Sequence, residues 1–169
     1  VRDFDTGMQP LFFTTPVPRR AYLGGRFTGA FLVNAIILTS IPLGLALGAL
    51  MPYMEPERFG PFRARTYVQP YLVFFLPNLL LTGAIFFTLA ALSRRMLPNY
   101  VGGIFLLIGY TLAGEMLQDV ENERLVGILD AFVLGRFDLV RRYWTPADKN
   151  TLLVPIDGLL VTNRLVWMA

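Results

Sequence analysis

The chain has no cysteine and no histidine. The first absence removes disulfides and thiolate metal sites but identifies no compartment. The second excludes histidine-dependent triads, zinc sites of the H-E-x-x-H kind and a histidine proton switch within these residues. Charge is scarce too: Asp, Glu, Lys and Arg make up 16% of the 169 residues, against roughly 25% in an ordinary soluble domain. The shortage is local. Residues 27–54, 66–93 and 96–114 carry no charge at all and consist mostly of Leu, Ile, Phe, Val, Ala and Gly.

At about 1.5 Å of rise per residue, roughly 20 helical residues cross the ~30 Å hydrocarbon layer of a bilayer. A soluble helix would keep a polar face toward water, which these runs lack. The expected fold is an all-α, polytopic membrane protein. It has three complete transmembrane helices, an amphipathic extracytoplasmic helical segment and the start of a fourth span.

Residues 1–26 are polar and broken by Pro10, Pro16 and Pro18. Proline suits the first turn of a helix, so a short helix is expected near Pro18, leading through Gly24 and Gly25 into a span over 27–51. The loop 52–66 is rich in turn-forming residues and a second span covers 67–92, with Pro70 and Pro77 as possible kinks. The tight connection 93–97 holds Arg94 and Arg95 and makes the third span, 98–117, an antiparallel neighbour. In 118–158, Leu125, Ile128, Leu129, Phe132, Phe137, Val140 and Trp144 form an amphipathic pattern interrupted at Gly135. Thr145-Pro146-Ala147-Asp148 has the form of a capped helix start. Residues 159–169 read as the opening of a truncated fourth span. The chain begins without Met, and a fragment of a larger protein is expected.

Arg19, Arg20 and Arg26 precede the first span and Arg94 and Arg95 follow the second, with no acid in either cluster. Residues 51–65 hold three Arg against two Glu, whereas residues 115–158 hold eight acids against five bases. By the positive-inside rule both acid-free clusters face the cytoplasm, which places the mixed loop and the acidic segment outside.

Gly44-Leu45-Ala46-Leu47-Gly48 and Gly25-Arg26-Phe27-Thr28-Gly29 have the G-x-x-x-G spacing that lets helices approach closely in lipid, and Gly25, Gly29, Gly44 and Gly48 are candidate packing positions. Asn34, Asn78 and Thr82 are polar groups at membrane depth, Asn78 near mid-span. Each reads either as a hydrogen bond to a neighbouring helix or as the lining of a translocation path. No ionisable residue lies deep in the three complete spans, which argues against an ion-coupled carrier. The nucleotide-binding pattern G-x-x-x-x-G-K-[ST] is missing, so energy would come from a partner. No catalytic constellation or metal site is present in the sequence, so this chain is not expected to be an enzyme or to hold a cofactor of its own.

The stretch from Pro10 to Phe27, with Thr15-Pro16-Val17, Arg19-Arg20 and Tyr22-Leu23-Gly24-Gly25-Arg26, resembles the segment before the third span of type-2 ABC exporter permeases. That resemblance implies a cytoplasmic coupling element made of Thr15, Pro16, Val17, Arg19, Arg20, Tyr22 and Arg26. Its partners would be an ATP-binding cassette subunit carrying ATP and magnesium and a second permease copy or paralogue; no nucleic-acid partner is expected. Pro18 stands where such permeases often carry Ser or Thr. Tyr143-Trp144-Thr145-Pro146 together with Asn163-Arg164 and Trp167 looks like bacterial inner-membrane permeases that continue into a zinc aminopeptidase domain. The competing expectations are the anchor of a larger peptidase and part of a secondary transporter.

The cysteine-free sequence makes topology directly measurable. In intact cells, Arg19→Cys and Arg94→Cys should react with a maleimide from one side of the membrane and Glu57→Cys from the other; opposite sides for 19 and 94 would overturn the topology.

Overall fold

The computed structural model describes residues 7–8, 10, 14, 16–52, 62–118 and 123–168. Thr15 and most of the loop 52–66 lie outside the described residues. The architecture is all-α, with no strand among the described residues. The first charge-free run lies in α1 (Arg19–Leu38) and α2 (Ser40–Ala49), the second in α3 (Ala64–Pro70), a π-turn (Tyr71–Phe75) and α4 (Leu76–Ser93), and the third in α5 (Leu97–Gln118). The remainder forms α6 (Glu123–Leu129), α7 (Leu134–Arg141), α8 (Pro146–Thr151) and α9 (Gly158–Met168).

Three of these rods are long and apolar enough to cross a membrane: Arg19–Ala49 with 31 residues, Ala64–Ser93 with 30 and Leu97–Glu115 with 19. Their outward faces are what water would not tolerate. Ile36 is 68% exposed, Phe105 71% and Leu92 79%, while the buried apolar residues are few: Ala35, Phe74, Val133 and Leu160. Contiguous apolar surface on this scale needs an apolar surrounding, and a bilayer supplies it. The chain is a helical, multi-pass membrane protein.

Proline shapes both long rods. Pro42 has no N–H to offer the carbonyl of Leu38, four residues back, and its ring crowds that carbonyl, so α1 and α2 separate at Thr39. Thr39 keeps a right-handed helical conformation, and its hydroxyl and that of Ser40 donate to the carbonyls of Ile36 (2.6 Å) and Ile37 (2.7 Å). Pro77 likewise cannot donate to Val73; the preceding turn widens until Leu76 N–H reaches Tyr71 five residues back. The widened turn re-aims Tyr71, whose hydroxyl donates to the Ala35 carbonyl at 2.7 Å.

Helix α4 is central and packs against α1, α5 and α9. Phe27 meets Phe87 edge-on at 5.4 Å, and the Ala35–Tyr71 bond lies further along, so the two rods run antiparallel. The connection to α5 closes on Arg94, a left-handed helix cap at φ 54°. The tightest glycine between α4 and α5 is Gly102, where an added Cβ would stand 2.6 Å from Leu89 Cδ1. Outside the spans, Thr145 caps α8 in a reciprocal box with Asp148. The Thr145 hydroxyl, and then its backbone N–H, hold the Asp148 carboxyl below the usual carboxylate range by hydrogen-bonding its charged form.

Gly102→Val should therefore destabilise the α4–α5 pair by about 1–3 kcal/mol, the usual cost of overpacking. Thermal unfolding in detergent should find Leu89→Ala partly compensating it in a double-mutant cycle; strict additivity would place the close contact elsewhere.

Candidate functional site

Asn78 is the natural starting point because it is a polar group midway along the Ala64–Ser93 rod. Its amide nitrogen donates to the Phe132 carbonyl at 3.1 Å, and its oxygen accepts from the Arg164 guanidinium at 2.9 Å. Arg164 also lies over the Phe74 ring, 5.9 Å from its centroid. Asn78 thus joins the second span to the α6–α7 turn and to α9. Thr82 and Asn34 are spent locally, bonding back to the carbonyls of Asn78 (2.7 Å) and Ala30 (2.8 Å) on their own helices.

Around Asn78 the structure builds a polar knot. Asn163, fully buried, directs its amide nitrogen at the carbonyls of Gly127 (2.8 Å), Ile128 (3.0 Å) and Asp130 (2.8 Å). Trp167 Nε1 adds a bond to the Ile128 carbonyl at 3.0 Å. The last turn of α6 exposes carbonyls with no intrahelical donor, so α9 caps α6 with its side chains. Asp130 performs the complementary task for α7. Its carboxylate accepts from the backbone N–H of Phe132 (3.0 Å) and Gly135 (2.6 Å) and from the Tyr110 hydroxyl of α5 (3.2 Å).

The helix break therefore falls at residues 130–133, with Val133 buried at a left-handed φ of 63°, and Gly135 belongs to α7 instead of interrupting the pattern. A β-branched residue adopts that conformation only where its surroundings fix it. Here Val133 packs in one cluster with Phe74 and Leu160. An Arg136–Asp157 ion pair and Gln69 Nε2, which donates to the Val154 carbonyl at 2.7 Å, fasten the rest of the segment onto α3 and α9. Asp157 also caps α9 by accepting from Leu160 N–H at 3.0 Å.

At the opposite end of the rods the surface is basic and open. Pro16, Val17, Pro18, Arg19 and Arg20 are exposed, and no ion pair engages Arg19 or Arg20 among the described residues. Arg26 donates to the Tyr22 hydroxyl at 2.8 Å, one turn back. A Cβ on Gly25, Gly29, Gly44 or Gly48 would meet nothing within 4 Å among the described residues. Among the long helices the glycines whose Cβ would meet a neighbour are Gly83, Gly102 and Gly103. No group of three or more His, Cys, Asp or Glu residues able to hold a metal occurs among the described residues.

Sequence reasoning passed over Asp130 and Tyr110 and valued Asn163 and Arg164 only as parts of a resemblance. One signal was available: an Asn-Arg pair inside an apolar run is too costly in lipid to stand without partners.

Asn163→Asp should be far more damaging than Asn163→Leu, because it removes the donors and sets a carboxylate against three carbonyls. Each orphaned buried group costs about 1–3 kcal/mol. Limited trypsin digestion at Arg136, Arg141 and Arg142 would read the loosening, and equal resistance of both variants and the native protein would remove Asn163 from the knot. The chain matches no family model, no curated protein and no solved structure.

Proposed function

We propose that this chain is part of the membrane-spanning permease subunit of an ATP-driven, ABC-type exporter of a bacterial inner membrane, and that residues 15–26 dock an ATP-binding subunit. The observation that carries the reading is the continuity of α1. Helical geometry begins at Arg19, directly after Pro18, and runs through Gly24 and Gly25 into the first span without a break until Thr39. A contact at the exposed basic end is then rigidly joined to about 30 Å of continuous helix, of which about 18 Å belongs to the first span, at 1.5 Å per residue. Arg19 and Arg20 supply charge-assisted donors to acidic groups on the partner, and Pro16 and Val17 supply an exposed apolar edge beside them.

ATP and magnesium belong to the partner in this reading, and its dimerisation moves the permease between two access states as packed rigid elements. Gly25, Gly29, Gly44 and Gly48, where an added Cβ would meet nothing within 4 Å among the described residues, suit the approach of a second permease copy. The resemblance of the Pro10–Phe27 stretch to coupling segments supports the same assignment. Arg164, beside Asn78, is tied into a packed cluster that also holds the Asp130 carboxylate, which fits a pathway powered from outside this chain.

The double charge reversal Arg19→Glu/Arg20→Glu tests the docking role, provided membrane insertion is confirmed. Each charge-assisted contact is worth about 1.5–3 kcal/mol, so binding of the ATP-binding subunit should weaken tenfold or more, with coupled ATP hydrolysis falling alongside. Normal coupling in a correctly inserted variant would defeat the proposal.

A further inference from the structure

A crevice of about 260 Å³ opens along the seam between α1 and α4. Four phenylalanines line it, Phe27 and Phe31 on α1 and Phe86 and Phe87 on α4, and its polar lining among the described residues is Asn34 and Asn99. No Asp, Glu, Lys or Arg lines it among those residues. On α4 the lining positions extend from Leu79 to Ala90, about 16 Å at 1.5 Å per residue. The volume lies just under the roughly 300–1,000 Å³ of sites for drug-sized ligands, whose walls are likewise mostly apolar with a few placed polar groups. It suits a molecule of two or three rings.

Asn34 gives the crevice its chemistry. The bond to the Ala30 carbonyl at 2.8 Å takes one of its two amide hydrogens; the other hydrogen and Oδ1 have no partner among the described residues, and the residue is exposed. It stands eight residues beyond Arg26, about 12 Å along α1, at a depth where hydrocarbon cannot answer it. Asn99 differs, its Oδ1 being enclosed by the protein. An acyl tail of the bilayer fits the apolar wall, yet its ester groups stay at the boundary and leave the Asn34 carboxamide unpaired. A ring-bearing molecule with a carbonyl or hydroxyl answers both features, through edge or offset contacts with the phenylalanines and one hydrogen bond at Asn34. A charged ligand finds no counter-ion in this lining, so its desolvation goes uncompensated.

We propose that this crevice binds an uncharged aromatic molecule carrying one hydrogen-bonding group, taken from the surrounding hydrocarbon, with that group on the Asn34 carboxamide. Binding needs only the membrane-spanning helices, so it holds whether or not an ATP-binding subunit docks at residues 15–26.

The test is photolabelling of the protein in lipid nanodiscs with benzophenone, an uncharged two-ring ketone, followed by peptide mass spectrometry. Labelling should saturate and concentrate on 27–34 and 79–90. Fluorenone should compete better than fluorene, which lacks the carbonyl, by about two- to tenfold, the worth of one hydrogen bond. Asn34→Leu should erase that difference while leaving a labelled crevice, and Ala30→Phe, which fills the space, should abolish saturable labelling. Position 34 is exposed, so its variant reports even if Ala30→Phe fails to fold. Unsaturable labelling spread over outward faces such as Leu92 and Phe105, a fluorenone advantage unchanged in Asn34→Leu, or saturable labelling retained by a folded Ala30→Phe would each overturn the proposal. A disulfide between two copies through Asn34→Cys would assign the crevice to a second subunit and overturn it equally.

Discussion

Hydrocarbon offers no hydrogen bond, so a polar group placed in it is costly unless it is answered from within the chain. Most are, while Asn163 Oδ1 and Arg164 Nε and Nη2 stay buried without a partner. Helices meet that demand for most of the backbone, and the exceptions account for the rest of the architecture. Hydroxyls of Thr39, Ser40, Thr82, Ser93 and Thr111 turn back onto carbonyls three or four residues earlier on their own helices. Where proline deletes a donor, the backbone rearranges until the loss is covered: by a break at Thr39, by a wide turn at Tyr71–Phe75. Where a helix ends beside the spans, side chains from another element finish it, as Asn163 and Trp167 finish α6.

The same constraint separates the two ends of the molecule. Arg164 and Asn78 lie about 24 Å along α4 from Arg94, at 1.5 Å per residue, and Tyr110 lies about 20 Å along α5 from Leu97. Both distances fall within a ~30 Å layer, in its half away from the arginines. The knot around Asp130 and Asn163 is thus built in a region of falling dielectric, where a satisfied network is rigid and a partly satisfied one is costly. At the arginine end Arg19 and Arg20 are exposed, and no ion pair engages them among the described residues. One end is fixed by internal bonding, while the other carries these two exposed arginines.

Much of this was legible in the sequence because the strongest signals were compositional. Charge-free runs locate the three rods, and Thr145-Pro146-Ala147-Asp148 gives the α8 cap, since both depend on local chemistry alone. The breaks were harder to read. Pro42 stands in an uninterrupted apolar run and drew no attention, although it divides the first rod. Gly135 looked like the interruption of the amphipathic segment, but the carboxylate of Asp130 organises the turn and lets Val133 take the left-handed conformation. Residues more than thirty positions apart, such as Asn163 and Gly127, form the knot, and no local pattern encodes that pairing. The glycine spacings were visible, yet spacing does not say which face meets a neighbour; Gly102, in no such motif, makes the tightest approach.

The division of the first rod bears on how it could transmit force. Below Thr39, α1 packs against α4 through Phe27 and Phe87; above it, α2 packs against α3, which is itself bonded to the 151–154 stretch through Arg63 and Gln69. The Tyr71–Ala35 bond lies one turn below the break. A displacement applied at Arg19 and Arg20 therefore travels through twenty unbroken helical residues and meets a fixed point near Ala35. There α1 can pivot on the Tyr71 hydroxyl while α2 stays docked. Packed helices shift by small sliding steps, so under the proposed coupling the α1–α4 seam is where a push at the basic end would be felt.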